Sequence, residues 1–152
     1  MNMNIGIRAA QPGERIELEE LQRRASLANE RDREHLLADP GLIHLPLSQL
    51  QEKRIRVAEI AGRIVGFSAV LPKTAQVFEL DGLFVEPDRW RSGIGRALVV
   101  DAFQCVTAQG GTSLEVVAND AAEAFYEKLG FERSALVETL FRPAWLMRRH
   151  LC

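Results

Sequence analysis

The segment Pro87-Asp88-Arg89-Trp90-Arg91-Ser92-Gly93-Ile94-Gly95-Arg96-Ala97-Leu98 decides the fold of this chain. It comes after an apolar run, Val77 to Val85, and leads into Ile94, Leu98, Ala102, Cys105 and Val106, which recur at helical spacing. The segment therefore joins a strand to a helix. Glycines at such a junction let the backbone approach an anion, while the unpaired N–H groups and positive end of the helix dipole stabilise its charge. Arg89, Arg91 and Arg96 add mobile positive charge. Taken alone, two glycines are equally explained by a tight turn. A Walker loop is excluded because no GxxxxGK[ST] is present. A dinucleotide fingerprint fails as well, although Glu115 stands where its acidic residue would: Leu98 replaces the third small residue, and the unit lies in mid-chain rather than opening a βαβ domain.

Outward from the loop, Ser113 to Ala118 reads as a short apolar strand after the Gly110-Gly111 break, completing a strand–loop–helix–strand unit. Asn119 or Asp120 caps a helix from about Ala121 to Leu129, which Gly130 stops. Phe131 to Glu138 and Ala144 to His150 are expected as closing strands. Towards the N-terminus, Ile55 to Leu71 reads as a hairpin turning at Ala61-Gly62, and Gly82 inside the next strand signals a bulge or a close backbone approach. Asn4 to Ala9 is a short edge strand. A helix from Glu14 to about Leu27 carries Ile16, Leu18, Leu21 and Ala25, a weaker helix covers Arg31 to Ala38, and Leu42 to Leu50 is irregular after the turn Asp39-Pro40-Gly41.

A chain of 152 residues, 47% hydrophobic and 26% charged, suits one domain with one core, here residues 1 to 152. The formal charge of −2 gives no electrostatic reason to expect nucleic acid as partner. Neither a signal-like N-terminus nor an apolar run of membrane length is seen, so a cytoplasmic location and no membrane partner are expected. Cys105 and Cys152 stand far apart without a CxxC or Cys/His cluster, and His35, His44 and His150 lack ligand spacing, so no metal is expected. Cys105 is read as a buried small hydrophobe.

Two segments together resemble the GNAT superfamily of N-acetyltransferases. The loop Trp90-Arg91-Ser92-Gly93-Ile94-Gly95 is similar to the family's [RQ]xxGx[GA], with Trp90 where Arg or Gln is usual. Asn119-Asp120-Ala121-Ala122-Glu123-Ala124-Phe125-Tyr126-Glu127-Lys128-Leu129-Gly130-Phe131 resembles its NxxAxxFYxxLGF helix at every named position. The likeness runs from about Ile55 to Phe131. It implies a mixed α/β fold: a twisted sheet of about six or seven strands flanked by helices, with the strands ending at Val85 and near Ala118 splayed apart. It also implies acetyl-CoA as cosubstrate, its pantetheine arm pairing like an added strand with backbone near Leu83, Phe84 and Val85, its pyrophosphate on Arg91, Ser92, Gly93, Ile94, Gly95 and Arg96, and a further contact from Asn119. The reaction so implied is transfer of the acetyl group to a primary amine of a small molecule or peptide.

Amines like that of lysine are uncharged in only about one molecule in a thousand at neutral pH, so a proton acceptor is useful. Glu79 and Asp81, at i and i+2 of one strand, share a face; Asp81 aligns with an acidic position that serves as base in some relatives. A salt-bridged or solvated strand face is the alternative. A backbone N–H near Leu83 or Phe84 is expected to meet the oxyanion. Tyr126, the one tyrosine of the chain, matches the family's general acid for the leaving thiolate, as against an aromatic packed beside Phe125. Asn119 doubles as a helix cap. A non-catalytic acyl-CoA-binding or regulatory module is the competing function. The acceptor is not legible, and homodimerisation through exposed strand edges is compatible with the pattern.

Overall fold

The computed structural model describes residues 4–39, 41, 43–139 and 143–151. The chain divides into two compact units, one of Met1–Ala69 with Gly82–Val99 and the other of Val70–Asp81 with Val100–Cys152. The strands are β1 (Gly6–Ala9), β2 (Ile55–Ile60), β3 (Arg63–Pro72), β4 (Val77–Val85), β5 (Ser113–Ala118), β6 (Glu132–Glu138) and β7 (Pro143–His150). They form a seven-stranded mixed sheet in the order β1-β2-β3-β4-β5-β7-β6, flanked by helices. β4 and β5 pair in parallel across the helical crossover α4 (Ile94–Ala108), as parallel pairing requires.

In the first unit, α1 (Arg15–Ala28) buries Leu18, Leu21 and Ala25, at i, i+3 and i+7. Leu18 and Leu21 join a core cluster with Ile55 and Val57 of β2 and Phe67 and Ala69 of β3. Ile16, expected on this stripe, is instead 70% exposed, because it lies off the i, i+3, i+7 line. A second cluster joins Ala58 and Val65 to Ile94 and Leu98 at the start of α4. Gly66 permits this approach: a Cβ there would lie 2.9 Å from the Phe84 carbonyl oxygen and within 3.3 Å of Ile94 and Leu98. α2 (Glu30–Ala38) comes after α1, and α3 (Leu47–Gln51) occupies the stretch expected to be irregular. Pro46 sets the entry to α3 and Leu50 is its buried anchor; five residues are too few to display a period. Pro40 and Leu42, within the expected turn and loop, lie outside the described residues.

In the second unit, Phe78 and Leu80 of β4, Leu114 and Val116 of β5 and Met147 of β7 are buried. A Cβ on Gly111 would collide with Val106 of α4 and with Phe78, so glycine allows both to lie close to this turn. α5 (Asp120–Lys128) packs Tyr126 edge-on to Phe131, centroids 5.3 Å apart. Cys105, expected to be buried, is only half-buried, with Sγ 3.8 Å from Asp101 Oδ2, because it lies at the margin of the α4 stripe.

Candidate active site

The arrangement rests on β4 and on the turn that leads from it into α4. The parallel ladder joins Val77 to Ser113, Phe78 to Leu114 and Glu79 to Glu115, and stops there, while β4 runs on to Val85. Beyond Glu79 one edge of β4 carries backbone groups without a β5 partner. From Val77 to Asp81, Phe78 and Leu80 are buried and Glu79 and Asp81 point the other way. Further on, Leu83 and Val85 pack against the cluster of Ala58, Val65, Ile94 and Leu98, whereas Phe84 meets Phe67 at 5.3 Å between ring centroids.

After Val85 the chain is held tightly. Glu86, 5% exposed, donates its N–H to the Val65 carbonyl at 2.9 Å and accepts from Arg24 Nε and Nη2 at 2.9 and 2.8 Å. The Arg24 guanidinium holds the Glu86 carboxyl below its ordinary range. Pro87–Arg89 form a single 3-10 turn. Trp90, whose departure from the usual Arg or Gln gave no hint of a role, donates its indole N–H to the Val85 carbonyl at 2.8 Å. Ser92 Oγ bonds the Arg89 carbonyl. Arg91 and Gly93 take positive φ, +64° and +89°. The first bond of α4 runs from the Ala97 N–H to the Gly93 carbonyl at 3.0 Å, so the preceding N–H groups of the helix start have no intrahelical acceptor. Arg91 and Arg96 are exposed on either side of it. Donors of this kind fit a pyrophosphate.

The structure places Leu83, Phe84, Val85, Arg91, Ser92, Gly93, Ile94, Gly95 and Arg96 in the first unit, and Glu79, Asp81, Asn119 and Tyr126 in the second. Glu79 is half-buried, Asp81 exposed, and among the described residues neither forms an ion pair. Asn119 caps α5, its Oδ1 accepting the Ala122 N–H at 3.0 Å. Tyr126 is 7% exposed, and burial pushes its phenol upward, so it remains a proton donor across the physiological range. Among the described residues no group of three or more metal-ligating side chains occurs, and no helix is long and apolar enough to cross a membrane.

A family model described as "Acetyltransferase (GNAT) domain" matches residues 51–133, more than half of the chain. This chain belongs to the GNAT acetyltransferase family. It is 32% identical over 105 residues to an uncharacterized N-acetyltransferase of Methanocaldococcus jannaschii, covering 63% of this chain and 46% of that one. It is 27% identical over 111 residues to glucosamine 6-phosphate N-acetyltransferase of Trypanosoma brucei brucei, covering 64% and 76%. The chain thus spans about half the length of the archaeal relative. Its fold is similar to that of the PaiA N-acetyltransferase of Thermoplasma acidophilum, solved in complex with coenzyme A, with a TM-score of 0.79 at 19% identity over 97% of this chain and 99% of that one.

Proposed function

We propose that this chain is an acetyl-CoA-dependent N-acetyltransferase, acting as a single domain by direct attack of an amine on the thioester. The observation that carries it is β4: its ladder to β5 stops at Glu79, and its far end runs through a held turn into an open helix start. The family match spans both units of the chain, which supports reading them as one domain.

Acetyl-CoA supplies an activated acyl carbon and a thiolate leaving group. In this reading the β4 edge from Gly82 to Val85 holds the pantetheine arm as an added strand. The N–H groups at Gly93 to Arg96, with the guanidiniums of Arg91 and Arg96, hold the pyrophosphate. Trp90 keeps the turn closed on the Val85 carbonyl. Asp81, with Glu79 as the second candidate, takes the proton that the amine nitrogen loses on bonding to the acyl carbon. A backbone N–H at Leu83 or Phe84 donates to the developing oxyanion. As the carbon–sulfur bond breaks, Tyr126 gives its phenolic proton to the sulfur, and Asn119 adds a cofactor contact to its capping role. The acceptor in this reading is a primary amine of a small molecule or peptide; the trypanosomal relative, named for a small amine, supports the first of these.

The test is incubation with acetyl-CoA and a panel of amines, following thiol release and the mass of the products. Acetylated amine with equimolar free thiol is the expected result. Binding of acetyl-CoA without thiol release on any amine would leave a binding module instead, and no affinity for acetyl-CoA would remove the cofactor site altogether.

A further inference from the structure

The far end of β4 can be followed group by group within the first unit. In an antiparallel pair, the N–H and carbonyl of one residue point to the same neighbouring strand and those of the next residue point away from it. β3 and β4 are neighbours in the sheet. Glu86 gives its N–H to the Val65 carbonyl of β3 at 2.9 Å, and the Phe84 carbonyl oxygen lies 2.9 Å from where a Cβ on Gly66 of β3 would stand. Residues 84 and 86 therefore turn their backbone groups to β3. Those of Leu83 and Val85 face the other way, along the edge proposed to take the pantetheine arm.

That edge ends at Val85 for two reasons. The Val85 carbonyl belongs to the same peptide as the Glu86 N–H and points opposite to it, away from β3, where it accepts the Trp90 indole N–H at 2.8 Å. Two residues on stands Pro87, which has no N–H and already lies in the 3-10 turn. An extended ligand laid along β4 from the α4 end thus meets the Val85 N–H, then the Leu83 carbonyl, then the Leu83 N–H. The Phe84 N–H is turned to β3 and is not among them.

We propose that Trp90 is a positioning residue that sets the register of the pantetheine arm by closing the Val85 carbonyl to it. This deepens the acetyl-CoA reading and rests on it. The arm carries two amides. With the Val85 carbonyl closed, the arm's carbonyl farther from sulfur accepts the Val85 N–H, its N–H nearer sulfur donates to the Leu83 carbonyl, and the Leu83 N–H is left for the thioester oxygen. With the Val85 carbonyl open, the arm's farther N–H bonds it instead. That register draws the thioester roughly 4 to 5 Å towards α4, one strand residue plus a methylene, and away from the Leu83 N–H.

The first experiment needs no acceptor. An isotope-labelled chain is titrated with acetyl-CoA while exchange of its backbone and indole N–H protons with water is followed by NMR, the two indole signals being assigned with Trp145→Phe. Binding should protect the Leu83 and Val85 N–H groups and leave exchange of the Trp90 indole N–H no faster than before. An indole N–H released on binding, or an unprotected Leu83 N–H, overturns the proposal. The second experiment compares Trp90→Phe, which removes the N–H and keeps a ring, with Trp90→Gln, which restores a donor. With an amine found to be acetylated, Trp90→Phe should lower kcat about tenfold, while affinity for acetyl-CoA changes less than about threefold and Trp90→Gln recovers most of the rate. Affinity for adenosine 3′,5′-bisphosphate, which lacks the arm, should not change. An equal loss of affinity for both ligands with kcat intact makes Trp90 a brace of the phosphate loop and overturns its part in the register. Acetyl-CoA bound without turnover on any amine removes the transferase reading alone, and the exchange measurement then decides the register. Absence of acetyl-CoA binding overturns both. Should Trp90→Phe fail to fold, exchange in the wild-type chain still decides.

Discussion

Arg24 and Glu86 form a two-pronged pair in which both carboxylate oxygens are held, one by Nε at 2.9 Å and the other by Nη2 at 2.8 Å. The carboxylate is 6% exposed as a side chain and the guanidinium 51%, so water shares the cation but not the anion. The pair fastens α1 to the residue directly after β4, where the loop to α4 begins.

Glu86→Gln should therefore destabilise the chain by about 1 to 3 kcal/mol at neutral pH, the lower part of the range being favoured by the exposed arginine. The pH dependence has a definite sign. Arg24 lowers the carboxyl's pKa in the folded state, so its contribution is complete above the ordinary carboxylate range and is lost as pH falls through the lowered native value. Urea midpoints should differ between wild type and variant at pH 7, and the difference should narrow at about pH 3. A constant difference would assign the effect to packing.

Gly93 has φ of +89°, and a Cβ added to it would meet nothing within 4 Å, so space is not what demands glycine. Gly93→Ala should cost about 1 kcal/mol through backbone conformation alone. Gly93→Val adds a β-branched group where backbone must approach pyrophosphate, and acetyl-CoA affinity should fall about tenfold or more by calorimetry. A folded Gly93→Val chain with unchanged affinity would remove this loop from the cofactor site.

Asp81→Asn should lower turnover more than it weakens acetyl-CoA binding, with the largest loss below the pKa of the acceptor amine. Glu79→Gln is the comparison. Unaltered pH–rate profiles in both variants would assign deprotonation of the amine to water.

Tyr126→Phe keeps the ring against Phe131 and removes only the proton. Turnover should fall roughly ten- to a thousandfold with acetyl-CoA affinity little changed. Because burial raises the phenol, Tyr126 stays protonated well past neutrality and should not set the alkaline limb of the wild-type profile. Full activity in the variant, or joint loss of stability and cofactor binding, would make Tyr126 a packing residue.

Much of the fold is legible in the sequence because local chemistry sets it. β4 and β5 have the bounds their apolar runs predict, and Asn119 caps α5 as a short polar side chain before a helix should. The role of Trp90 is not legible there: its bond to Val85 spans a turn whose closure depends on the Pro87–Arg89 conformation. Arg24–Glu86 joins residues 62 apart, and no periodicity registers such a pair. Glu115 stands out in the sequence only through the failed dinucleotide pattern, since its two cations, Lys73 and Arg148, arrive from a turn and from the C-terminal strand. The exposed Ile16 shows the converse error, an apolar residue counted into a stripe because it is apolar.

The two-residue alternation of a strand makes the length of β4 less negotiable than its composition. A drifting lineage can exchange Leu83 for another aliphatic, or Phe78 for another large apolar residue, at modest cost. Losing or gaining one residue on either side of Gly82 would turn Glu79 and Asp81 inward, or would exchange the surroundings of Leu83 and Phe84, and every later position to Val85 would inherit the error. Insertions and deletions among descendants of this chain should therefore collect in the turns at either end of β4 and spare the nine residues between them.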